Sequence, residues 1–379
     1  MDELRKKEII ETSKVIYGYA ELGSTEYKSS SFLVDQFRKH GFSVQYPYMG
    51  METAFRAECG KGNFTVGLLA EYDALPNGHS CGHNLISAWA FGTAINVCEK
   101  LNCRVIVFGT PSEEGIGKYA GSKAIMAEAG AFKDVDFMIG MHPDDRWAVG
   151  AKSISDITEQ ITFSGKSSHL MNPEYGVNAL VPLVESYIAI NGIKNSLSPD
   201  TFAVIGIVIK EGGTASNVIP ERAVMEVDIR AKESSFLNEL KSRIAHIAQN
   251  IAAAYDAGIK IENTTPLYQE YKPNRVIDRV LEEECISEGI SVVNIDEIDE
   301  NPMGSTDESN VSQVVPTGHI DIKITDPGVP AHSDKFRAAA NPDLAGANLI
   351  RSIEITFRSI EKIITNKNIM RNIKDEFGR

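Results

Sequence analysis

Apolar segments of strand length alternate with helix-like segments through the first 150 residues of the chain. Three of them, FTVGLLAEYD, CRVIVFGT and VDFMIGMH, are rich in consecutive apolar residues. Such runs are typical of strands buried on both faces, as in a parallel sheet that helices cover on each side. The alternation therefore predicts an α/β fold with a mostly parallel sheet and helices on both faces.

The stretch at 154–265 has a different pattern. A strand-like segment, a helix, two strand-like segments, a second helix and a last strand follow one another, in the order βαββαβ. This order is typical of the ferredoxin-like, split βαβ arrangement. Helix and strand patterns resume afterwards, with a strand expected at 319–325 and a long helix at 339–364. We therefore predict a larger α/β domain, formed by 1–153 and 266–379, that carries an inserted α+β domain at 154–265.

Length and composition limit the classes of protein that the chain can belong to. A chain of 379 residues favours two domains over one. The net charge of −14 argues against nucleic acid or an anionic membrane as the main partner. The charged N-terminal segment has no signal-peptide core, and no apolar run is long enough to span a membrane. Five cysteines without a disulfide-like spacing suit a reducing compartment, so we expect a cytoplasmic protein.

Metal-binding side chains follow four of the expected strands. They are Asp73, Cys81 and His83 after the first strand, Glu113 and Glu114 after the second, His142 at the end of the third, and His332 after the strand at 319–325. The carboxyl ends of parallel strands meet at one edge of a sheet, where ligands bind. Thiolate, imidazole and carboxylate together suit a divalent ion such as Zn²⁺. The set is larger than one catalytic zinc uses, which indicates two ions that share a bridging ligand.

Each of these residues, taken alone, also has a structural interpretation. A single cysteine is often a small buried apolar residue, and two glutamates after a strand often lie in a solvated loop or at a helix start. We expect His40, His246 and His319 to be structural. His79 could support a metal ligand or simply belong to a turn.

Eight motifs in order, between about residue 65 and residue 340, resemble one known family. They are EYDALP, GHSCGHN, PSEEG, GMHP, GKSSHLMNPEYGVNAL, GGTASNVIP, VDIR and PAHSDKF. The family is that of the aminoacylase/carboxypeptidase G-like metallopeptidases, and the motifs resemble its amidohydrolase branch, which contains auxin-conjugate and aminobenzoyl-glutamate hydrolases. EYDALP and CGHN are most similar to the aminoacylase-1-like 2 subgroup, which includes dipeptidase-type members. The resemblance implies a two-domain subunit, two divalent metal ions per subunit and a homodimer formed through the inserted lid domain.

The resemblance also implies a role for individual residues. The residues that match metal ligands are Cys81, His83, Glu114, His142 and His332, with Cys81 where other branches have a bridging aspartate. Glu113 matches the general base, and Asp73 matches an acid that orients a ligand. The lid residues that match substrate contacts are His169, Asn217 and Arg230, and His169 is expected to complete the active site of the partner subunit.

Two positions depart from the family pattern. Asn84 stands where the commoner motif of the branch has an aspartate, so any electrostatic support of the metal from this position is in doubt. Glu71 stands where the wider family has a metal-binding histidine. Members of the branch usually have an acid there, and we do not count Glu71 as a ligand.

The implied chemistry is hydrolysis of an amide bond in a small substrate that bears a carboxylate. The candidates are a dipeptide, an N-acyl amino acid and an aminobenzoyl-glutamate type compound. Glu113 would take a proton from metal-activated water and pass it to the leaving nitrogen, while Arg230 would hold the substrate carboxylate. Zn²⁺ is favoured, with Mn²⁺, Co²⁺ or Ni²⁺ as other candidates, and we expect the segment NPMGSTDE to help shape the pocket.

Two other classes of function stay open on the sequence. A hydrolase with Cys81 as its nucleophile would explain the neighbouring histidine, but it would leave the glutamate pair, His142 and His332 without a role. A catalytically silent metal-binding scaffold would keep the fold and lose the free base, whereas Glu113 is present.

Overall fold

The structure is a computed structural model that describes residues 1–194, 196–197, 202–298 and 304–378. The chain divides into two compact units. Unit 1 contains residues 1–152, 271–301 and 306–379, and unit 2 contains residues 153–270 and 302–305. The start of the predicted pocket segment NPMGSTDE, at 301–303, lies outside the described residues.

The elements are numbered along the chain. The helices are α1 (Glu3–Tyr19), α2 (Tyr27–Lys39), α3 (His83–Lys100), α4 (Ser122–Glu128), α5 (Leu180–Lys194), α6 (Ser234–Ala254), α7 (Arg275–Ser287), α8 (Glu308–Val314), α9 (Asp334–Ala339), α10 (Pro342–Thr365) and α11 (Lys367–Phe377). The strands are β1 (Ser43–Gln45), β2 (Phe55–Gly60), β3 (Thr65–Ala70), β4 (Arg104–Gly109), β5 (Phe137–Asp144), β6 (Ala148–Val149), β7 (Ser155–Ser164), β8 (Ala203–Glu211), β9 (Arg222–Ala231), β10 (Gly258–Asn263), β11 (Val293–Asn294) and β12 (Thr317–Lys323). Among the described residues, none of the helices combines the length and the apolar character that crossing a membrane requires.

The sheet of unit 1 has the strand order β1-β2-β4-β3-β5-β12-β6-β11. Its four central strands, from β4 to β12, are parallel, whereas β2 and β6 pair with them in the antiparallel direction. Neighbouring residues of β3 belong to different hydrophobic cores. Leu68 packs in one core with Trp89 of α3, and Leu69 packs in another with Met126 of α4. Helices therefore cover both faces of the sheet, and the predicted α/β class with a mostly parallel sheet is confirmed.

Unit 2 contains an antiparallel sheet with the order β10-β7-β9-β8. Along β7 the residues alternate between buried and partly exposed, as expected for a strand with one face on a core. Ile161 and Val227 of this sheet pack with Leu183 of α5 and Leu240 of α6. The element order confirms the predicted βαββαβ fold.

The structure differs from the sequence interpretation in two places. The long helix expected at 339–364 is present as α10, but it begins at Pro342, because the Asn341 side chain accepts a hydrogen bond from the Asp343 amide and Pro342 opens the first turn. This is a helix start, and a proline there cannot continue the preceding helix α9. In addition, Cys59 of β2 and Cys98 of α3 form a disulfide with Cα atoms 5.7 Å apart, which their separation of 39 residues does not reveal.

Candidate metal centre

The predicted ligands lie at the carboxyl edge of the central strands. β3 ends at Ala70 and is followed by the segment with Asp73, Cys81 and His83, and His83 opens α3. β4 ends just before the loop with the two glutamates, His142 lies near the end of β5, and His332 follows β12. Because β4, β3, β5 and β12 are consecutive neighbours in the sheet, their ends bring these side chains to one place.

His83 is fully buried and is surrounded by carboxylates. Its Nδ1 lies 2.8 Å from Asp73 Oδ1. Its Nε2 faces Glu71 Oε2 at 3.4 Å and one oxygen each of Glu113 and Glu114 at 3.8 Å. Asp73 Oδ2 also accepts the Glu114 amide proton at 3.1 Å. Asp73 therefore orients His83 and the loop that carries Glu114, as the support of a metal ligand would.

Cys81 lies between histidines. Its Sγ is 3.3 Å from Nε2 of His142, whose Nδ1 lies 2.7 Å from the carbonyl oxygen of Pro143. A proton on Nδ1 donates to that carbonyl and leaves Nε2 as the atom that can bind a metal. His332 Nε2 lies 3.4 Å from Glu114 Oε2.

Within the described residues, three groups of side chains offer ligand atoms that lie within 4.8 Å of one another. They are Cys81 with His83 and His142, Cys81 with Glu114 and His332, and Glu71 with His83 and Glu113. The thiol of Cys81 belongs to two of the groups, as a bridging ligand would. The third group brings in Glu71, which the sequence analysis did not count as a ligand.

The residues present fit a cation. Glu71 Oε2, His83 Nε2 and Glu114 Oε1 are buried and have no hydrogen-bond partner within the described part of the chain. Leaving such atoms unsatisfied is costly, and all three lie at the same place. The mixture of thiolate, imidazole and carboxylate is also the donor set that zinc and similar ions take.

Burial and charge shift the protonation of this cluster. Burial raises the pKa of Glu113 to about 8 and the pKa of Glu114 to about 7, because a charged carboxylate loses its hydration there. Burial acts in the same direction on Cys81, but the charges of His142 and His83 outweigh it and hold the pKa of this thiol well below its ordinary value. The thiolate, which is the form that binds metal, is thereby favoured.

A buried lysine beneath the cluster was missed by the sequence analysis. Lys123 of α4 is fully buried, with its Nζ 2.9 Å from Glu71 Oε1 and in an ion pair with Asp307. Its amide also donates to Asp307 Oδ2 at 3.0 Å. The neighbouring Thr306 donates from Oγ1 to Glu113 Oε1 at 2.9 Å. The only signal in the sequence was a lysine within the apolar helix SKAIMAE.

Two residues near Cys81 that the sequence left open have structural contacts. His79 Nε2 lies 3.0 Å from the carbonyl oxygen of Ile16, and burial lowers its pKa to about 4. Asn84 Nδ2 donates to Ser13 Oγ at 2.9 Å and to the carbonyl of Ala340 at 3.0 Å. Asn84 thus connects the start of α3 to α1 and to the segment before α10 by donating two hydrogen bonds. His79, as a neutral ring, connects the loop before α3 to α1.

The three predicted lid residues lie at two ends of unit 2. His169 and Asn217 are exposed neighbours, since the Leu170 amide donates to the Asn217 carbonyl at 3.0 Å. Arg230 of β9 bonds both carboxylate oxygens of Asp228, at 3.0 and 3.1 Å, and lies 3.3 Å from Asp156.

The ladder between β7 and β9 separates these two groups. Eight residue steps of the ladder separate its pair Asp156–Arg230 from its last pair, Ser164–Arg222, and the His169 segment follows that last pair. Eight residues of extended strand span about 27 Å. The structure therefore brings His169 and Asn217 together and leaves Arg230 far from both.

The fold and the ligand cluster define the class of the protein, a metal-dependent amidohydrolase. Residues 156–256 match the family model described as "Peptidase dimerisation domain". The chain is 30% identical over 387 residues to the Xaa-Arg dipeptidase of Mus musculus, covering 96% of this chain and 88% of that protein. It is also 27% identical to a p-aminobenzoyl-glutamate hydrolase chain of Escherichia coli, covering 70% of this chain and 59% of that one. The chain belongs to the M20 family of metallopeptidases, in its amidohydrolase branch.

Solved structures share the fold. A putative aminohydrolase from methicillin-resistant Staphylococcus aureus aligns with a TM-score of 0.75 at 18% identity, covering 94% of this chain and 97% of that one. A dinuclear metal-binding peptidase of the M20 family from Bacillus subtilis aligns with a TM-score of 0.65 at 19% identity, covering 94% and 99%. The mouse relative confirms the predicted family, and the shared fold confirms the prediction of an inserted lid domain in an α/β fold.

Proposed function

We propose that the protein is a di-metal peptidase or aminoacylase that cleaves the amide bond of a small substrate bearing a carboxylate. The candidates remain a dipeptide, an N-acyl amino acid and an aminobenzoyl-glutamate type compound. The observation that carries the proposal is the position of Cys81, whose Sγ belongs to two separate groups of ligand atoms at one sheet edge. The names of the mouse and E. coli relatives support amide hydrolysis of this kind.

The residues that would hold the metal are Cys81, His83, Glu114, His142 and His332. When bound, two divalent ions would acidify a water molecule and polarise the substrate carbonyl. We expect Zn²⁺ in the cell, with Mn²⁺, Co²⁺ and Ni²⁺ as alternatives, and we propose a cytoplasmic location.

Glu113 is the proposed general base. Thr306 binds its Oε1, which fixes the carboxylate and leaves Oε2 directed at the ligand cluster, 3.8 Å from His83 Nε2. From there Glu113 takes a proton from water and gives it to the leaving nitrogen. Asp73 contacts both His83 and the Glu114 amide, so it keeps the ligands in position while the base moves the proton.

Two adjacent glutamates with different roles provide the first test. Glu113→Gln is expected to keep its metal and to lower kcat by roughly 10²–10⁴-fold, because it removes only the base. Glu114→Gln is expected to lose metal instead. Metal analysis and a hydrolysis screen over dipeptides and N-acyl amino acids, with Zn²⁺, Mn²⁺, Co²⁺ or Ni²⁺ supplied, measure both outcomes. The reverse behaviour of the two variants would reverse the roles, and no turnover by the wild type on the whole panel would favour the silent scaffold.

We also propose a homodimer formed through the inserted domain, 154–265. β8 is an edge strand of its sheet, and Val204 and Val208 on it are about half exposed. Val184 and Ile188 of α5 are exposed as well, at 40% and 65%. Edge strands with exposed apolar side chains need covering, and a two-fold axis would cover both copies at once. The match to a peptidase dimerisation domain supports this arrangement.

The dimer would also bring the lid residues to one substrate. Arg230 lies near one end of β9 and the His169 segment lies beyond the other end, with about 27 Å of extended strand between Arg222 and Arg230. That separation is too large for one small substrate to contact both in one chain. We propose that Arg230 binds the substrate carboxylate, and that His169 and Asn217 come from the partner subunit to bind the scissile group.

Complementation tests this arrangement. His169→Ala and Glu113→Gln are each expected to be inactive, whereas a mixed dimer has one site with neither defect. Random exchange makes half of the dimers mixed, so activity should rise to about a quarter of wild type. If mass spectrometry shows exchange and no activity returns, His169 acts within its own chain or not at all.

Cys81 is proposed as a metal ligand and not as a nucleophile. The chain is a metal-dependent amidohydrolase by its family, and the short contact of Cys81 with His142 is equally expected between two ligands of one ion.

A further inference from the structure

The loop with the two glutamates is held by the segment between α1 and α2. We call this segment, residues 21–26, the clasp. We propose that Glu26 of the clasp is a positioning residue that fixes the directions of Glu113 and Glu114. The inference rests on the proposed function for what the two glutamates do, and on contacts of Glu26 for how they are held.

Glu26 is a fully buried carboxylate that bonds the glutamate loop and one other side chain. Its Oε1 accepts the Ser112 amide proton at 2.9 Å and lies 3.4 Å from Ser112 Oγ. Its Oε2 accepts a hydrogen bond from Thr53 Oγ1 at 3.0 Å. A buried acid is costly unless it is bonded or paired, and no ion pair joins Glu26 to a basic side chain in the part of the chain that the structure describes. Hydrogen bonds therefore hold the Glu26 carboxylate in place, and the bond to the Ser112 amide links it to the glutamate loop.

Ser112 is the residue whose backbone Glu26 holds, and its conformation is unusual. Its φ is +61°, in the left-handed region that residues with a side chain avoid. It directly precedes Glu113, so its φ sets the direction in which the pair leaves the end of β4. Such conformations persist only where surrounding contacts impose them, and they concentrate at functional sites.

The two glutamates take different directions from this point. Glu113 bonds Thr306, whereas the amide of Glu114 bonds Asp73 and its carboxylate faces His332. A return of Ser112 to an ordinary negative φ would move both side chains away from these partners.

Other contacts of the clasp fix the same loop. Ser24 Oγ lies 2.8 Å from Ser112 Oγ and accepts the Tyr119 amide proton at 2.8 Å. A Cβ on Gly23 would lie 2.5 Å from the carbonyl oxygen of Ile116, so only glycine allows this approach. The clasp thus contacts the loop on both sides of the glutamate pair.

The clasp also contacts the loop after β3. The carbonyl of Glu21 accepts the amide proton of Ala74, the residue after Asp73, at 2.8 Å. One segment therefore anchors the two loops that supply the base, a ligand and the acid that orients them.

Three substitutions of one residue separate positioning from general stability. Glu26→Gln keeps an oxygen that can accept the Ser112 amide proton, whereas Glu26→Asp withdraws the acceptor by one methylene and Glu26→Ala removes it. Glu21→Ala is the matched control: its carboxylate accepts the Ser29 amide proton at 2.8 Å at the start of α2 and makes no side-chain bond to the glutamate loop among the described residues.

The measurements are the affinity for Zn²⁺, the protection of the glutamate loop from hydrogen exchange, and the steady-state kinetics. Zn²⁺ is titrated into metal-free protein by calorimetry, and amide hydrogen exchange is followed over 110–119 and over α2. For Glu26→Ala and Glu26→Asp we expect Zn²⁺ affinity to fall about 10- to 100-fold. We expect kcat to fall about 10- to 100-fold with KM nearly unchanged, and exchange to rise over 110–119. Glu26→Gln is expected to stay near wild type, and Glu21→Ala to raise exchange over α2 alone.

The outcomes separate this inference from the proposed function. A wild-type protein without amide turnover would contradict the proposed function. Zn²⁺ affinity and hydrogen exchange would still test the positioning role of Glu26. If Glu26→Ala does not fold, the comparison of Glu26→Asp with Glu26→Gln decides. Equal Zn²⁺ affinity and equal protection of 110–119 in Glu26→Asp, Glu26→Gln and Glu21→Ala would overturn the inference.

Discussion

Substitution of Lys123 tests how much the buried ion pairs next to the candidate metal centre contribute to the stability of unit 1. Its ammonium group is fully buried and pairs with Glu71 at 2.9 Å and with Asp307. Lys123→Met keeps an unbranched side chain of similar length and removes the charge, so little of the effect arises from a cavity. The two carboxylates would then lie in the protein interior without their cation.

The magnitude follows from the burial of both partners. The Glu71 side chain is 6% exposed and that of Asp307 is fully buried, so water can replace the lysine at neither. Removing one partner of a buried ion pair costs about 3–5 kcal/mol, and we expect a loss of stability in this range. Asp307→Asn in the same chain removes one of the stranded charges, so the double variant should recover about 1–2 kcal/mol.

Tryptophan fluorescence reports on the unfolding of unit 1, the unit that contains Lys123. The two tryptophans of the chain, Trp89 and Trp147, are both buried in unit 1, so urea unfolding of the metal-free protein measures this unit. Lys118→Met is the matched control, since this lysine is 57% exposed and pairs with Glu52 at 3.2 Å. An exposed pair contributes about 0–1 kcal/mol. If Lys123→Met costs no more than Lys118→Met, the charged triad is not what holds this region together.

Three further predictions concern other parts of the chain. Cys81→Ser should lower metal content and Cys81→Asp should restore part of it, because a carboxylate can also bridge two ions; full content in both, by elemental analysis, would contradict a ligand role. Burial raises the pKa of Asp156 from 3.8 to about 6, so the folded protein binds this proton more tightly and loses stability as the pH rises between these values. Asp156→Asn should therefore raise Tm more at pH 7.5 than at pH 4, and an equal change at both pH values would refute this. His319 lies 2.8 Å from Glu308 and 3.2 Å from Asp321, so His319→Gln should destabilise unit 1 by about 2–4 kcal/mol at pH 6 in urea unfolding, and a neutral effect would show that the cluster is uncharged.

The clustering of the candidate ligands could be predicted because it depends on local patterns. Apolar runs mark the central strands, and the residues after them reach one edge whatever the rest of the chain does. His83 and Glu114 therefore needed only the strand assignments and the rule for parallel sheets. The short separation between the end of a strand and its glutamates is visible without any knowledge of tertiary contacts.

The residues that hold the candidate ligands in position could not be predicted in this way. Lys123 and Asp307 are 184 residues apart, and no local pattern links a lysine in a short helix to an acid in a distant loop. The contact of Glu26 with Ser112 spans 86 residues and depends on a positive φ that serine rarely adopts. Arg230 shows the converse, since the resemblance implied a contact with a substrate carboxylate, whereas the fold places the carboxylates of Asp228 and Asp156 beside it.

The interrupted sequence of unit 1 has a consequence for the order in which the chain folds during synthesis. Strand β5 pairs with β12, and the whole of unit 2 is encoded between them. All four strands of the unit 2 sheet are available once residue 263 has left the ribosome, whereas the central sheet of unit 1 must wait for 317–323. Until then β5 has an open edge, which is the kind of surface that pairs with other chains. His332 emerges later still, so the site that binds metal is completed only after the inserted unit has had time to fold.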